Sequence, residues 1–225
     1  MTTGMKDISR VQEELLSAII EAEVDRANEI VLNWAGMTNF KTAFSELLEP
    51  ALIKLGDLWT KNRLSLAQAF LASKVAENIF NAAMASNEFS SVLPGSKGSV
   101  VIGNIEDDFH SFGRKLVVIF SRLAGWTVHD LGNDVQPAEF VNRALETGSR
   151  IIGVSAMIFN TAMNIRRVRE EIDNRGLTGK IQLCVGGAVF RLRPGLMNET
   201  GADGTAGNAM KAPDLFSEML KRILQ

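Results

Sequence analysis

Cysteine is almost absent: Cys184 is the only one in 225 residues. One thiol excludes an intramolecular disulfide and a zinc site built from cysteines, and its scarcity suits a reducing compartment. Histidine is scarce too, with His110 and His129 alone. The net charge of −2 gives no excess of either sign that would point to nucleic acid or an anionic membrane. No apolar run approaches the length of a membrane span. The opening segment "MTTGMKDISRVQEELL" is charged and lacks the apolar core of a secretion signal. A cytoplasmic protein is therefore expected, with neither nucleic acid nor membrane as a partner.

What is present falls into two parts with different periodicity. Residues 1–88 read as helix only. "SRVQEELLSAIIEAEV" places Val11, Leu15, Leu16, Ile19 and Ile20 on one face. "VDRANEIVLNWAG" continues with Ala27, Ile30, Val31 and Trp34, and Gly36 is its expected stop. A third helix spans "NFKTAFSELLEPALIKLGDLWTKN", where Pro50 should impose a kink or a break. A fourth, "SLAQAFLASKVAENIFNAAMASNE", opens with Ser65 as N-cap. The reading is a small four-helix bundle. Residues 89–98 are rich in serine, glycine and proline and read as a linker.

From residue 99 to 225 the pattern alternates. Strands "SVVIGNI", "WTVHDLG", "IIGVSAMI" and "IQLCVGG", with a weak fifth near "GADGTAG", are separated by amphipathic segments, and the last helix is "APDLFSEMLKRIL". Strands that are apolar throughout indicate a parallel sheet covered on both faces. Five such units predict an α/β, doubly wound, flavodoxin-like (Rossmann-like) fold. Ligands of that fold bind beyond the carboxyl ends of the strands, where strand order reverses between the first and third. The residues reaching that edge are Asp108, Phe109, His110, Ser111, Phe112 and Gly113 after the first strand. Ser155, Met157, Asn160 and Thr161 follow the third, and Gly186, Gly187 and Ala188 the fourth.

Several uses of this architecture are excluded. Neither GxGxxG nor GxxxxGK[ST] follows the first strand. A receiver domain needs an aspartate at the end of the third strand, where Ser155 stands. A lone histidine cannot build a zinc site from protein ligands, but it suffices if a macrocycle supplies the remaining donors. Asp108 could then hold the second ring nitrogen, and the glycines would leave room for a bulky ligand.

Asp108-x-His110-x-x-Gly113, Ser155-x-Met157 and Gly186-Gly187 resemble, in order, the signature of the cobalamin-binding fold of methionine synthases, corrinoid methyl carriers and cobalamin-dependent mutases. "EPALIKLGDLWTKNRLSLAQAFLAS" looks like the helical cap of the methyl carriers, with Gly56 to Trp59 as its Gly-x-x-Trp turn. The resemblance implies a helical cap over residues 1–88 and a cobalamin-binding domain over 99–225. It implies that His110 is the metal ligand, replacing the cofactor's own base beneath the cobalt (base-off, His-on). Asp108 and Thr161 would complete its relay, Ser155 would meet the nucleotide base, and Gly186 and Gly187 would line the tail. The expected role is a methyl-carrying subunit of a methyltransferase system. Its partners would be a substrate-specific methyltransferase, an acceptor methyltransferase using tetrahydrofolate or a similar carrier, and a reductive activator. A cobalamin-binding sensor, regulatory or storage protein is the alternative.

The match has departures. Met157 replaces the usual leucine, Ser111-Phe112 an Asp-Ile pair, Ala69 a glutamate of the cap, and Asn208 an aspartate. His129, Trp34, Trp126 and Cys184 read as structural. Trp59 suits either bundle core or a place over the corrin. Arg166, Arg167, Arg169, Arg191 and Arg193 read as solvated surface.

Overall fold

The computed structural model describes residues 8–61, 63–86 and 95–224. The chain divides into two compact units, Met1–Ser91 and Val92–Gln225. Residues 89–94 of the expected linker lie outside the described residues, and 95–97 form a turn into the first strand. No helix among the described residues is long and apolar enough to cross a membrane.

The first unit is helical. α1 (Ile8–Ile20) buries Val11, Leu15, Ala18 and Ile19, so Leu16 and Ile20 sit at the margin of the face the periodicity assigned them. α2 (Val24–Met37) buries Ala27, Val31, Trp34 and Ala35. It runs through Gly36 and ends at Thr38, whose amide and hydroxyl both donate to the Trp34 carbonyl, at 3.0 and 2.7 Å. The hydroxyl supplies the C-terminal cap that glycine was expected to provide.

The expected third helix is interrupted just before Pro50 by a π turn rather than running as one regular helix. α3 (Phe40–Ala43) passes through a π turn (Phe44–Leu48) into α4 (Glu49–Thr60). Proline has no amide to give the carbonyl four residues back, which is that of Glu46. The widened turn shifts the ladder by one residue, so the Glu49 amide reaches Phe44 O. Gln12 on α1 donates its side-chain amide to Glu46 O at 2.6 Å, which fills the place left by the missing donor. Gly56 to Trp59 form the end of α4 rather than a separate turn. α5 (Leu66–Ala85) opens with a reciprocal capping box, Ser65 Oγ accepting from Gln68 N and Gln68 Oε1 from Ser65 N. Gln68 also donates to Ile20 O at 2.8 Å, closing the end of α1.

The second unit holds a five-stranded sheet in the order β2-β1-β3-β4-β5, parallel throughout. Its strands are β1 (Ser99–Asn104), β2 (Thr127–Asp130), β3 (Ile151–Ser155), β4 (Gln182–Gly186) and β5 (Gly204–Thr205). The connecting helices are α6 (Ser111–Leu123), α7 (Pro137–Thr147), α8 (Phe159–Asn174), α9 (Ala188–Leu192), α10 (Leu196–Glu199) and α11 (Ala212–Leu224). The alternation of β1 sends Val101 into one core with Phe140, Ile165 and Val168, and Val100 and Ile102 into another with Val118, Trp126 and Phe216. The sheet is thus covered on both faces, as the apolar strands required. Trp126 meets Phe216 edge-on at 5.7 Å. Register aligns Asn104 with Ser155 and Ser155 with Gly186, which sets three strand ends at one edge.

The short α9 and α10 carry no sequence signal of their own. Of the arginines read as solvated surface, Arg169 is partly buried, while Arg166, Arg167, Arg191 and Arg193 are exposed. Arg169, whose side chain is 15% exposed, lies between Asp173 at 2.8 Å and Asp203 at 3.4 Å. Arg166 donates to Glu199 O, and Arg193 lies over the Phe159 ring.

Two outcomes follow from this packing. A Cβ on Gly103 would stand 2.8 Å from the ring of fully buried Phe140. Gly103→Ala is expected to destabilise the second unit by about 1–3 kcal/mol in denaturant unfolding. Cys184 is buried, and burial, with Asp203 nearby, pushes its thiol up to about 12. Its labelling by a thiol reagent at neutral pH should therefore await unfolding and follow the same denaturant midpoint.

Candidate functional site

The site grows from the loop joining β1 to α6. Ile105 N donates to Ser155 O at 3.1 Å, holding the loop against β3. Asp107 takes a left-handed conformation, φ 66°, as does Asp134, φ 56°. Both are residue types that tolerate it. The two are interlocked: Asp107 N donates to Asp134 Oδ1 at 2.9 Å, and Asp134 N to Asp108 O at 3.2 Å. Glu106 pairs with Arg167 on α8 and accepts from Gln136 Nε2 at 2.8 Å. Glu106 and Asp107, to which the sequence assigned no role, therefore anchor the loop to its neighbours.

Those anchors bring Asp108 to zero exposure. Its Oδ1 accepts from Asn104 Nδ2 at 2.8 Å and from His110 N at 2.9 Å. Its Oδ2 accepts from Met157 N at 2.6 Å and Thr161 Oγ1 at 3.1 Å. Burial alone would raise the carboxyl pKa; the amides of Met157 and His110 and the side chains of Asn104 and Thr161 together outweigh it and hold the group below the usual carboxylate range. His110 Nδ1 is 3.4 Å from Asp108 Oδ1, and the imidazole is 43% exposed. With Nδ1 turned to the carboxylate, Nε2 is the nitrogen left for a ligand.

Asp108, His110 and Thr161 are thus brought together from two elements. Met157 joins them through its backbone amide, whereas the motif had pointed to its side chain. Ser155 ends β3, and Ser111 and Phe112 open α6 beside His110. Phe109 projects from the loop, 65% exposed. Ala188 begins α9. The two adjacent glycines differ. A Cβ at Gly187, φ 115°, would lie 1.9 Å from Ala156 O, so the backbone itself demands glycine there. A Cβ at Gly186 or at Gly113 would meet nothing within 4 Å. Packing does not require glycine at either place, and both surfaces are left clear. Asn208 caps the turn at Lys211 N, 3.0 Å away, in a role of its own.

Sequence reading missed the polar chain behind this centre. Arg114, 5% exposed, donates from Nε to Asn104 Oδ1 at 2.9 Å, pairs with Asp130, and reaches Asn133 Oδ1 at 3.3 Å. Asn104 is itself fully buried. The signal was a charged residue at position 114, four residues before buried Val118 on the inner face of α6.

His110 does not belong to a protein-built metal site of three or more side chains: among the described residues no group of three or more His, Cys, Asp or Glu side chains could hold a metal ion. A metal at His110 would take further donors from a bound ligand, and a macrocycle is one that can supply them. The clear surface at Gly113 and Gly186, and exposed Phe109, Ile158 and Phe159 at the same edge, fit a large, partly apolar ring.

Comparison with known proteins bears on the family and its cofactor. Residues 98–214 match the family described as B12 binding domain, and residues 11–83 match a second family of the same description. The chain is 26% identical over 216 residues to dimethylamine corrinoid protein 3 of Methanosarcina acetivorans, covering 96% of this chain and all of that protein. The fold resembles that of the Methanosarcina barkeri monomethylamine corrinoid protein, with a TM-score of 0.72 and 20% identity over 94% of this chain and 99% of that one. It also resembles a chain of the methanol:cobalamin methyltransferase complex from the same organism, with a TM-score of 0.52 and 21% identity over 96% and 81%.

The depressed Asp108 pKa gives the apo-protein an acid limb. The stabilisation is complete above the ordinary carboxyl pKa and is lost as pH falls through the lower folded value. Asp108→Asn should cost about 1.5–3 kcal/mol near neutrality and flatten that limb, measured by denaturant unfolding across pH 2–7.

Proposed function

The chain belongs to the family of B12-binding domain proteins, with cobalamin as cofactor, and from that premise we propose that it is a corrinoid methyl carrier. The observation that carries the reading is His110: partly exposed, backed by a buried carboxylate, and without company from any other metal-ligating cluster among the described residues. Similarity along nearly the whole chain to a dimethylamine corrinoid protein supports the same role.

Bound cobalamin supplies a cobalt ion that takes up and gives up a methyl group. The chain's residues position that chemistry. His110 Nε2 would ligate the cobalt in place of the cofactor's own base. Asp108, whose Oδ1 lies 3.4 Å from Nδ1, would favour the tautomer that leaves Nε2 free for the metal, and Thr161 and the Met157 amide keep Asp108 in place. Gly113 and Gly186 leave space for the ring and its tail, Ser155 stands at the strand end where the nucleotide base would lie, and Ala188 and the Gly187 amide open α9 beside it. Residues 1–88 would form the cap, joined by the segment 89–98 to the cofactor domain over 99–225. The partners are a substrate-specific methyltransferase and an acceptor methyltransferase working with tetrahydrofolate or a similar carrier, together with a reductive activator, in the cytoplasm.

Apo-protein mixed with cobalamin should turn red and retain about one cobalt per chain. His110→Ala should lose the histidine nitrogen coupling from the cobalt(II) EPR spectrum. Absence of corrin uptake by the wild-type protein, or an unchanged spectrum in His110→Ala, would refute the assignment. Methyl transfer to an acceptor in the presence of a partner enzyme separates a carrier from a protein that only stores or senses the cofactor.

A further inference from the structure

We propose that Asp130, Arg114 and Asn104 form a second arm of the His110 relay, which draws on Asp108 from the histidine's side and keeps His110 a weak axial donor. The inference rests on the reading of His110 as the cobalt ligand.

The two arms end on different oxygens. Thr161 and the Met157 amide engage Asp108 Oδ2. Asn104 engages Oδ1, the oxygen that faces His110 Nδ1 at 3.4 Å and also accepts the His110 amide. The orientation of the Asn104 amide is forced. A guanidinium only donates and a carboxylate only accepts, so Asn104 Oδ1 must face Arg114 and Nδ2 must face Asp108. A hydrogen bond accepted at an amide oxygen polarises the amide and strengthens its N–H donors, more so in a buried setting. Arg114 and Asn104 are both buried, so solvent does little to blunt the effect. The Arg114 charge is paired by Asp130; what reaches Asp108 arrives through the Asn104 amide rather than as a bare positive field.

The consequence concerns the ligand's strength. An acceptor on Nδ1 makes a ligating imidazole more basic in proportion to its pull. Oδ1 already holds two shorter bonds, so its pull on Nδ1 is slack. A weakly held histidine leaves the metal readily. Cobalt in a corrin sheds its axial ligands in its lowest oxidation state, so a weak histidine makes that state easier to reach. Arg114 and Asn104 are then positioning residues that set the ease of reduction and touch neither the metal nor the transferred group.

The test uses the full chain as wild type, Arg114→Met and Arg114→Lys. Loaded with cobalamin, Arg114→Met should hold the histidine on cobalt(II) about tenfold more tightly, moving the cobalt(II)/cobalt(I) midpoint about 59 mV more negative. Arg114→Lys, which keeps a cationic donor, should recover at least half of that shift. In the apo-protein at fixed alkaline pH, the His110 Nδ1 proton resonance should move downfield in Arg114→Met. With two histidines in the chain, His129→Gln completes the assignment. Should Arg114→Met not fold, Asn104→Ser breaks the bridge while leaving the Arg114–Asp130 pair, and carries the same expectation. A folded variant with the wild-type midpoint and the wild-type His110 resonance overturns the proposal, as does an equal displacement in Arg114→Lys. Wild-type protein that takes up no cobalamin, or takes it up without histidine ligation, overturns the carrier reading and this one with it. Normal ligation with an unmoved Arg114→Met overturns this one alone.

Discussion

A carboxylate with no exposure to water keeps its charge only if protein donors replace its hydration. Asp108 meets that condition with donors from four separate places in the chain: the end of β1, its own loop, the loop after β3 and the first turn of α8. None of these elements can move without leaving a buried charge short of a partner. Much of the irregular backbone around the site serves this need. The left-handed Asp107 and Asp134, the Glu106–Arg167 pair and the Ile105–Ser155 bond all hold the loop where Asp108 can be met. The histidine is then mounted on a support more rigid than an exposed loop alone would provide.

The doubly wound fold was legible because burial on both faces leaves a mark in each strand: "SVVIGN" and "IIGVS" have no polar side to show. The cap helices were legible from their three- and four-residue spacing. His110, Asp108 and Thr161 were found because the resemblance names positions, and the backbone places them within reach of one another. Other features depend on partners distant in sequence and leave no local trace. The Asp108–Met157 bond spans 49 residues and the Glu106–Arg167 pair 61. Arg114 shows in the sequence only as a charge on the inner face of α6, and its partners Asn104 and Asp130 lie 10 and 16 residues away. The two glycines at 186 and 187 read alike in sequence, and only the Ala156 carbonyl distinguishes the one the backbone needs from the one that leaves space.

The departures from the family pattern have physical content. Met157 is tolerable at a leucine position partly because the contribution seen in the structure is made by its amide, which any residue other than proline supplies. Asn208, in place of an aspartate, caps a short turn before α11.

The π turn at Phe44–Leu48 bears on how this chain can change over evolutionary time. Such a turn holds one residue more than a regular helix, and each residue advances a helix by about 100°. A single deletion within it would restore the regular ladder and leave Ala51, Leu52 and Leu55, now buried, facing their core. The same deletion in the regular part of α4 would turn everything downstream by about 100° and carry the buried face away. The π turn is therefore the place in this helix where the lineage can lose one residue in a single step.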